Sequence, residues 1–380
     1  MKIVSIEPTP SPHSMKINVD ERLPDGQKEN YQIGDDLHDA PDYVQKLFVI
    51  DGVKGLYRVI DFLTIQRNPR VAWEDILPEV QDVFGTSKNM DENLSFSTKN
   101  GTEDSFGEIH VYIQMFRDLP MQVKLEEGDQ EYRFGLPERF TEAIMEASVA
   151  SDNLLMERKW VEQSPRYGEV NEIGQEVVEE LSASYDTDRL QQLVELILTN
   201  DPHKKQIAQK RTTVTIDMFD QPNWKDRYAA LDRLDPTLED LPILNKALDD
   251  EKASIRRLAT AYLGMIEEPE VLPYLYKALK DKAVNVRRTA GDCLSDLGYT
   301  DAIPEMIQAL DDSNRLVRWR AAMFLYEVGD ETAIPALRKA LDDPEFEVRM
   351  QVKMALARIE EGEEAKGSIW KQMTEAAKKK

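Results

Sequence analysis

Ala247-Leu248-Asp249-Asp250, Ala278-Leu279-Lys280-Asp281, Ala309-Leu310-Asp311-Asp312 and Ala340-Leu341-Asp342-Asp343 are four copies of one tetrad. Their leucines stand 31 residues apart (279 − 248, 310 − 279, 341 − 310). Prolines keep the same beat at Pro242, Pro273, Pro304 and Pro335. So do the aliphatic–arginine pairs Ile255-Arg256, Val286-Arg287, Val317-Arg318 and Val348-Arg349. Three marks in one register define a tandem repeat, and a period of this length means stacked supersecondary units. A stack presents a long surface, so it predicts contact with partners rather than chemistry.

Each period reads as two helices. The first runs over Pro273–Leu279 or Pro335–Leu341, with proline near the first position, where the missing N–H costs nothing. Asp250, Asp281, Asp312 and Asp343 fall where the second helix is expected to begin, as acceptors for its free N–H groups. Asp343-Pro344 reads as N-cap followed by first helical residue. The second helix is expected to bury Ile255, Ala259 and Leu263 and their equivalents Val286, Ala290, Leu294 and Val317, Ala321, Leu325, because steps of four keep to one face. Gly264, Gly298 and Gly329 fall at or near helix ends. A degenerate earlier second helix is expected at Arg227–Leu234. Gly367-Ser368 opens a last amphipathic helix with Ile369, Trp370 and Met373, expected to seal the stack. Arg256, Arg287, Arg318 and Arg349 are expected to pair with the aspartate of the same or the next repeat. Arg257, Arg288, Arg315 and Arg320 have no repeat-wide partner, which makes them candidates for a ligand surface.

The 380 residues suffice for two or three domains. A formal net charge of −24 repels phosphate backbones and anionic bilayers, so no nucleic-acid or membrane partner is expected. Cys293 is the one cysteine, which excludes an intramolecular disulfide and fits a reducing compartment; with no long apolar segment, a cytoplasmic protein is expected. Its 31-spaced equivalents, Tyr262, Phe324 and Ala355, predict a buried core thiol. His13, His38, His110 and His203 show no metal-ligand spacing. Phosphate-loop, dinucleotide-binding, serine-elbow and zinc-helix motifs are absent, so no catalytic residue, cofactor or metal is expected.

The opening of the chain is different. Ile3–Ile6 is a short β-type run, and Glu7-Pro8-Thr9-Pro10-Ser11-Pro12 is a stiff, extended loop. Met15–Val19 alternates as a half-buried strand; Pro41–Phe48 fits a helix with Val44, Leu47 and Phe48 on one face. Strands at Leu56–Ile60 and Phe62–Gln66 and a helix at Trp73–Phe84 complete an expected βαββα unit over residues 1–85. Glu7-Pro8-Thr9-Pro10, Pro12, Met15-Lys16, Leu47-Phe48, Ile50-Asp51-Gly52-Val53, Asp61-Phe62 and Trp73 resemble the N-terminal domain of Nfu-type iron–sulfur scaffold proteins. That family's cluster chemistry resides in another domain with a Cys-x-x-Cys pair, absent here. The resemblance therefore implies a fold and a docking role, without a cluster.

Residues 86–108 read as a linker or long loop. Residues 109–220 read as an α+β middle domain: strands at Ile109–Ile113, Met121–Leu125 and Tyr132–Phe134, then a helical second half from Glu138 onward. Thr187 or Asp188 is expected to cap the helix ending near Leu198. The HEAT-like repeats then occupy 221–366 and the capping helix 367–380. Phe116-Arg117-Asp118-Leu119-Pro120-Met121-Gln122-Val123-Lys124 and Glu157-Arg158-Lys159-Trp160, set between an Nfu-like head and a HEAT-like tail, resemble the bacterial conserved virulence factor C family. The resemblance implies a regulatory role in virulence traits. The repeats also resemble those of phycobilisome lyases.

The fold class is thus an α+β amino-terminal half followed by an all-α HEAT-like solenoid. The leading function is a non-enzymatic adaptor for protein partners. The alternatives are an accessory factor that meets an iron–sulfur assembly protein without ligating a cluster, and a HEAT-repeat lyase-like enzyme. Expected partner-binding residues are Glu7, Pro8, Thr9, Pro10 and Pro12 in the proline loop, Arg117, Met121 and Gln122 in the middle-domain turn, and Arg257, Arg288, Arg315 and Arg320 in the repeats.

Overall fold

A computed structural model describes residues 1–9, 11, 13–24, 26–85, 108–128, 130–151, 153–199 and 214–362. The expected linker over 86–107, Pro10 and Pro12 of the proline loop, and the expected capping helix over 367–380 lie outside the described residues. In the head, strands β1 (Ile3–Pro8), β2 (Ser14–Val19), β3 (Lys28–Gln32), β4 (Val53–Val59) and β5 (Phe62–Arg67) form one antiparallel sheet. Their order is β1-β2-β5-β4-β3. Helices α1 (Asp42–Leu47) and α2 (Trp73–Val83) add Val44, Leu47, Trp73, Ile76, Leu77 and Val80 to a core shared with Ile17, Leu56, Leu63 and Ile65. Strand β3 is additional to the expected βαββα unit. Its residues Lys-Glu-Asn-Tyr-Gln offer one side chain, Tyr31, to the core, too little for an apolar alternation.

The middle domain opens with β6 (Glu108–Phe116), β7 (Leu119–Glu127) and β8 (Gln130–Gly135), as the alternating sequence predicts. After α3 (Glu138–Ser148) and the short α4 (Leu154–Glu157), the chain returns as a strand, β9 (Arg158–Tyr167). This corrects the expectation of unbroken helix beyond Glu138. Strand β9 pairs with β6 at the edge of the order β8-β7-β6-β9; half of its residues are exposed and none is fully buried, so it lacks the apolar rhythm of a buried strand. Two cores form. Ile109, Val111, Val123 and Leu125 pack with Ile173, Val177 and Leu181 of α5 (Val170–Ser184). Phe116 and Leu119 pack with Phe140, Ile144 and Ala147 of α3 and with Leu190 and Val194 of α6 (Thr187–Thr199). The carboxylate that caps α6 belongs to Asp186, which accepts from Arg189 N at 2.7 Å, in place of the expected Thr187 or Asp188.

The repeats are paired helices. The first helices are Leu241–Ala247, Leu272–Ala278, Ile303–Ala309 and Ile334–Lys339, each with its proline in the first turn. The second helices are Ala253–Met265, Val284–Leu297, Arg315–Val328 and Phe346–Glu361. The anticipated early second helix is Trp224–Asp232. Ile255, Ala259, Leu263, Val286, Ala290, Leu294, Val317, Ala321 and Leu325 are all buried, as the four-residue spacing requires.

The aspartates differ from expectation. They stand two residues ahead of the second helix's N-cap, and their carboxylates close a local turn by accepting from the backbone N–H two residues on. Asp250 accepts from Lys252 N at 2.8 Å, Asp281 from Ala283 N at 2.7 Å, Asp312 from Asn314 N at 2.7 Å and Asp343 from Glu345 N at 2.9 Å. Asp343-Pro344 is therefore a turn, and the helix starts at Phe346 after Glu345. Gly298 ends its helix in the left-handed region (φ 65°). Gly264 is glycine for another reason: a Cβ there would stand 2.4 Å from Cys293 Sγ.

The described chain forms two compact units. One holds the head together with the chain from Leu325 onward; the other holds the middle domain and the repeats up to Phe324. Within the first unit, Met350 of the last helix enters the head's core, with Phe346 packed against it.

Candidate interaction surfaces

The recurring arginines form a ladder. Nε and Nη2 of Arg227 grip the carboxylate of Asp250 at 2.7 and 3.0 Å; Arg256 grips Asp281 at 2.7 and 3.0 Å; Arg287 grips Asp312 at 2.8 and 2.9 Å. In each case the arginine of one repeat holds the aspartate of the next in a bidentate fork. The remaining nitrogen, Nη1, turns back on its own repeat. Arg256 Nη1 donates to the carbonyls of Asp250 and Glu251, and Arg287, Arg318 and Arg349 repeat the pattern on the carbonyls preceding their own helices. Each such arginine thus fastens its own inter-helix turn, and Arg256 and Arg287, like Arg227, also fasten the neighbouring repeat. Asp281, raised by burial alone, is held below the usual carboxylate range by Arg256 and the Ala283 N–H.

Arg349 keeps the same bonds to its own turn but meets a different carboxylate, through one bond. Its Nη2 donates to Glu74 Oε1 of the head at 3.1 Å, while Arg67 of the head donates to Glu347 of the last repeat at 2.8 Å. The head therefore stands at the place on this arginine where another repeat's aspartate would stand.

Two of the four arginines expected to line a ligand surface, Arg257 and Arg288, have partners in the middle domain. Arg257 Nη2 donates to both oxygens of Glu180 in α5, which also receives Arg166 of β9 at 2.6 Å. Burial pushes the Glu180 carboxyl up, but Arg257 and Arg166 outweigh it and hold the group low. Arg288 lies 3.8 Å from the ring centroid of Tyr167 and donates to Pro165 O at 3.3 Å. Arg320 Nε lies 2.7 Å from Asp292 Oδ1, close enough for an ion pair but misaligned for a hydrogen bond. Arg315 opens its helix half-buried. The first two members thus come together on β9 and α5, while the other two stand further along the stack.

In the proline loop, Glu7 accepts from Asn18 Nδ2 at 2.6 Å and from Lys16 Nζ at 3.2 Å across the β1–β2 pair. Thr9 is buried, its hydroxyl donating to the carbonyls of Ser11 at 3.0 Å and Ser14 at 3.1 Å. Pro8 ends β1. The turn between β6 and β7 places Arg117 at φ 52°, a left-handed conformation uncommon outside glycine. Its side chain is tied down: Nε donates to Glu157 at 2.7 Å and Nη2 to Ala150 O at 3.1 Å. Met121 packs against the α3–α6 core, and Gln122 donates to Gln114 Oε1 at 2.8 Å on the adjacent strand. The proline loop and this turn belong to different compact units. Cys293 is buried, donates to Thr260 O at 3.5 Å, and has its thiol pushed up to about 12 by burial.

Sequence reasoning missed Glu180, Glu74 and the Arg67–Glu347 pair. Only Glu180 left a trace: it shares the buried stripe of α5 with Val177, Leu181 and Ser184, where a lone carboxylate demands a cation. Among the described residues no group of three or more metal-type side chains is placed to hold an ion, and no helix is long and apolar enough to cross a membrane.

Comparison with known proteins finds matches in three stretches of the chain. Family models match at residues 4–89 (scaffold protein Nfu/NifU N terminal), 114–194 (virulence factor) and 213–290 with 276–357 (HEAT repeats). The chain is 57% identical to the Bacillus subtilis uncharacterized protein YpgR over the whole of both chains. It is 46% identical to conserved virulence factor C of Staphylococcus aureus over 98% of this chain and 99% of that one. Among solved structures, the Staphylococcus aureus protein SAV1430 is 33% identical and covers 22% of this chain and 99% of its own (TM-score 0.21). The CpcE–CpcF phycocyanin lyase of Nostoc is 32% identical and covers 27% of this chain and 42% of its own (TM-score 0.25).

Proposed function

The chain belongs to the conserved virulence factor C family, and from that premise we propose that it is a non-enzymatic adaptor that binds protein partners through its head and its repeats. The observation that carries this reading is what the repeats already do within the chain. Their second helices hold folded neighbours through arginine–carboxylate pairs: Arg257 on Glu180 of the middle domain, Arg349 on Glu74 of the head. Such a stack works by orientation and effective concentration. The virulence link of the family gives the adaptor a regulatory setting.

The test is capture from native extract with the full chain as bait, because the last repeat shares its core with the head and a bare repeat fragment would lose that packing. Partners are expected to be lost selectively in Arg315→Glu/Arg320→Glu or in variants of the Glu7–Thr9 segment. Turnover of a small substrate, with no protein retained by any form, would overturn the reading.

A second reading rests on the match of residues 4–89 to the Nfu/NifU amino-terminal domain. In it the chain meets a cluster carrier without ligating iron, since thiolate-bound clusters need several cysteines and this chain has one. Retention of a cluster-loaded carrier protein by the full chain would favour this reading; a visible absorption that stays with the chain alone after anaerobic reconstitution would overturn it.

A further inference from the structure

Four of the twelve large apolar side chains that stand exposed among the described residues fall between residues 145 and 156: Met145 (69%), Val149 (84%), Leu155 (65%) and Met156 (80%). They are not loose ends. Met145 and Val149 are four residues apart at the end of α3 and share one side of it. Asn153 caps α4, its side chain accepting from Leu155 N and Met156 N, while the adjacent Leu154 turns into the core. Arg117, in its left-handed turn, reaches across to Ala150 O and Glu157, and Ser151 donates to Glu157 at 2.5 Å. The loop is thus fixed by hydrogen bonds with its apolar side chains held outward, while its neighbours Phe140, Ala143, Ile144 and Ala147 are satisfied within the core.

Clustered exposed apolar residues mark interaction sites, and methionine suits a surface that moulds itself to an apolar ridge. The charges at its borders are of opposite sign. On the α3 side the exposed Glu142 and Glu146 flank Met145; on the β9 side the exposed Arg158 and Lys159 follow Met156. We infer that this patch docks an amphipathic helix of a partner protein, one whose apolar stripe is bordered by lysine or arginine on one side and by aspartate or glutamate on the other. The surface lies in the segment matched by the virulence-factor model, outside the head and the repeats, and gives the chain a third point of attachment.

The probe is a synthetic helical peptide with leucines at i, i+3, i+4 and i+7, a lysine border and a glutamate border, read by fluorescence anisotropy against the full chain. Binding is expected to weaken at least tenfold in Met145→Glu/Met156→Glu, with the thermal midpoint unchanged because both side chains are exposed. Glu142→Lys/Glu146→Lys is expected to shift preference to a peptide with two glutamate borders. Equal affinity of wild type and the methionine variant, or equal binding of a scrambled peptide, would overturn the inference. So would sedimentation showing a wild-type dimer that the methionine variant dissociates, since the occupant would then be a second copy. These substitutions leave the arginine ladder and the head untouched, so failure here is separable from failure of partner capture by those surfaces.

Discussion

Two arginines with the same place in the repeat, Arg256 and Arg349, meet different acceptors. Arg256 holds Asp281 of the next repeat in a buried, two-bonded fork, with side-chain exposures of 4% and 11%. Arg349 keeps the same bonds to its own turn, yet its carboxylate comes from Glu74 of the head, through one bond at 3.1 Å and with exposures of 29% and 28%. The first pairing follows from the period and recurs at Arg227–Asp250 and Arg287–Asp312. The second has no period behind it. A repeat can therefore keep one side-chain grammar and still be fitted to an unrelated domain, at the cost of a weaker, wetter bond.

The sharpest way to break the comparison is to remove both arginines in turn. Arg256→Ala leaves Asp281 buried without its cation and unfastens the turn before its own helix. Removing one partner of such a pair costs about 3–5 kcal/mol. Arg349→Ala unfastens its own turn too, but the pair it breaks is partly solvated and is worth about 1 kcal/mol or less, so its total loss is expected to be the smaller. Denaturant unfolding of the two variants measures both; equal losses would mean that the head rung is as firmly built as the ladder. Glu180→Gln tests the middle-domain fork, where two arginines share one buried carboxylate. Leaving Arg166 and Arg257 without it is expected to cost about 3 kcal/mol, close to the ladder rung rather than the head rung. Gly264→Ala comes next. It drives a methyl onto Cys293, and overpacking of this kind costs about 1–3 kcal/mol. In the wild type Cys293 is expected to resist a thiol reagent at pH 8 until unfolding, because its thiol is buried and pushed up to about 12; the variant is expected to react sooner.

The contrast also explains what was legible beforehand. Arg256, Asp281 and the apolar positions Ile255, Ala259 and Leu263 were readable because each recurs in register, and recurrence separates a structural requirement from chance. The ladder pairing of Arg256 and Arg287 followed; the rung of Arg227 in the displaced first member, and the turn of Arg349 to Glu74, did not. The exact role of the aspartates did not. A carboxylate before a helix looks the same in sequence whether it caps the helix or closes a turn two residues earlier. Strands β3 and β9 were invisible for a different reason: polar and charged residues fill most of both, and in β3 only Tyr31 packs against a core, so neither carries an apolar alternation. The partners of Arg257 and Arg288 were beyond reach because Glu180 and Tyr167 are distant in sequence and occur once. Arg117, singled out as part of a turn, gave no hint that it pins Ala150 and Glu157 beside an exposed apolar patch, since only the fold brings those segments together.

Acid should separate the two rungs by sign. Asp281 is pushed up by burial, but its fork with Arg256 wins, so its folded value lies below the ordinary one. It contributes stability that is present above the unfolded value and lost as pH falls through the lowered one. Glu74 is also pushed up by burial, and there Arg349 does not win: with Glu347 adding to the rise, the folded value lies above the ordinary one. A carboxylate raised in the folded state binds its proton more tightly there than in the unfolded chain, so its contribution improves as pH falls from above the raised value to the ordinary one. The midpoint of wild type minus that of Asp281→Asn is thus expected to shrink as pH falls below the ordinary carboxylate range. The same difference for Glu74→Gln is expected to start near zero or negative at pH 7 and to rise through pH 5. The Glu74 effect is the smaller, within about 1 kcal/mol, because the group remains partly solvated. Should the two differences run in parallel, the head rung would be an ordinary member of the ladder, and the distinction between a repeat's own neighbour and a fitted one would fail.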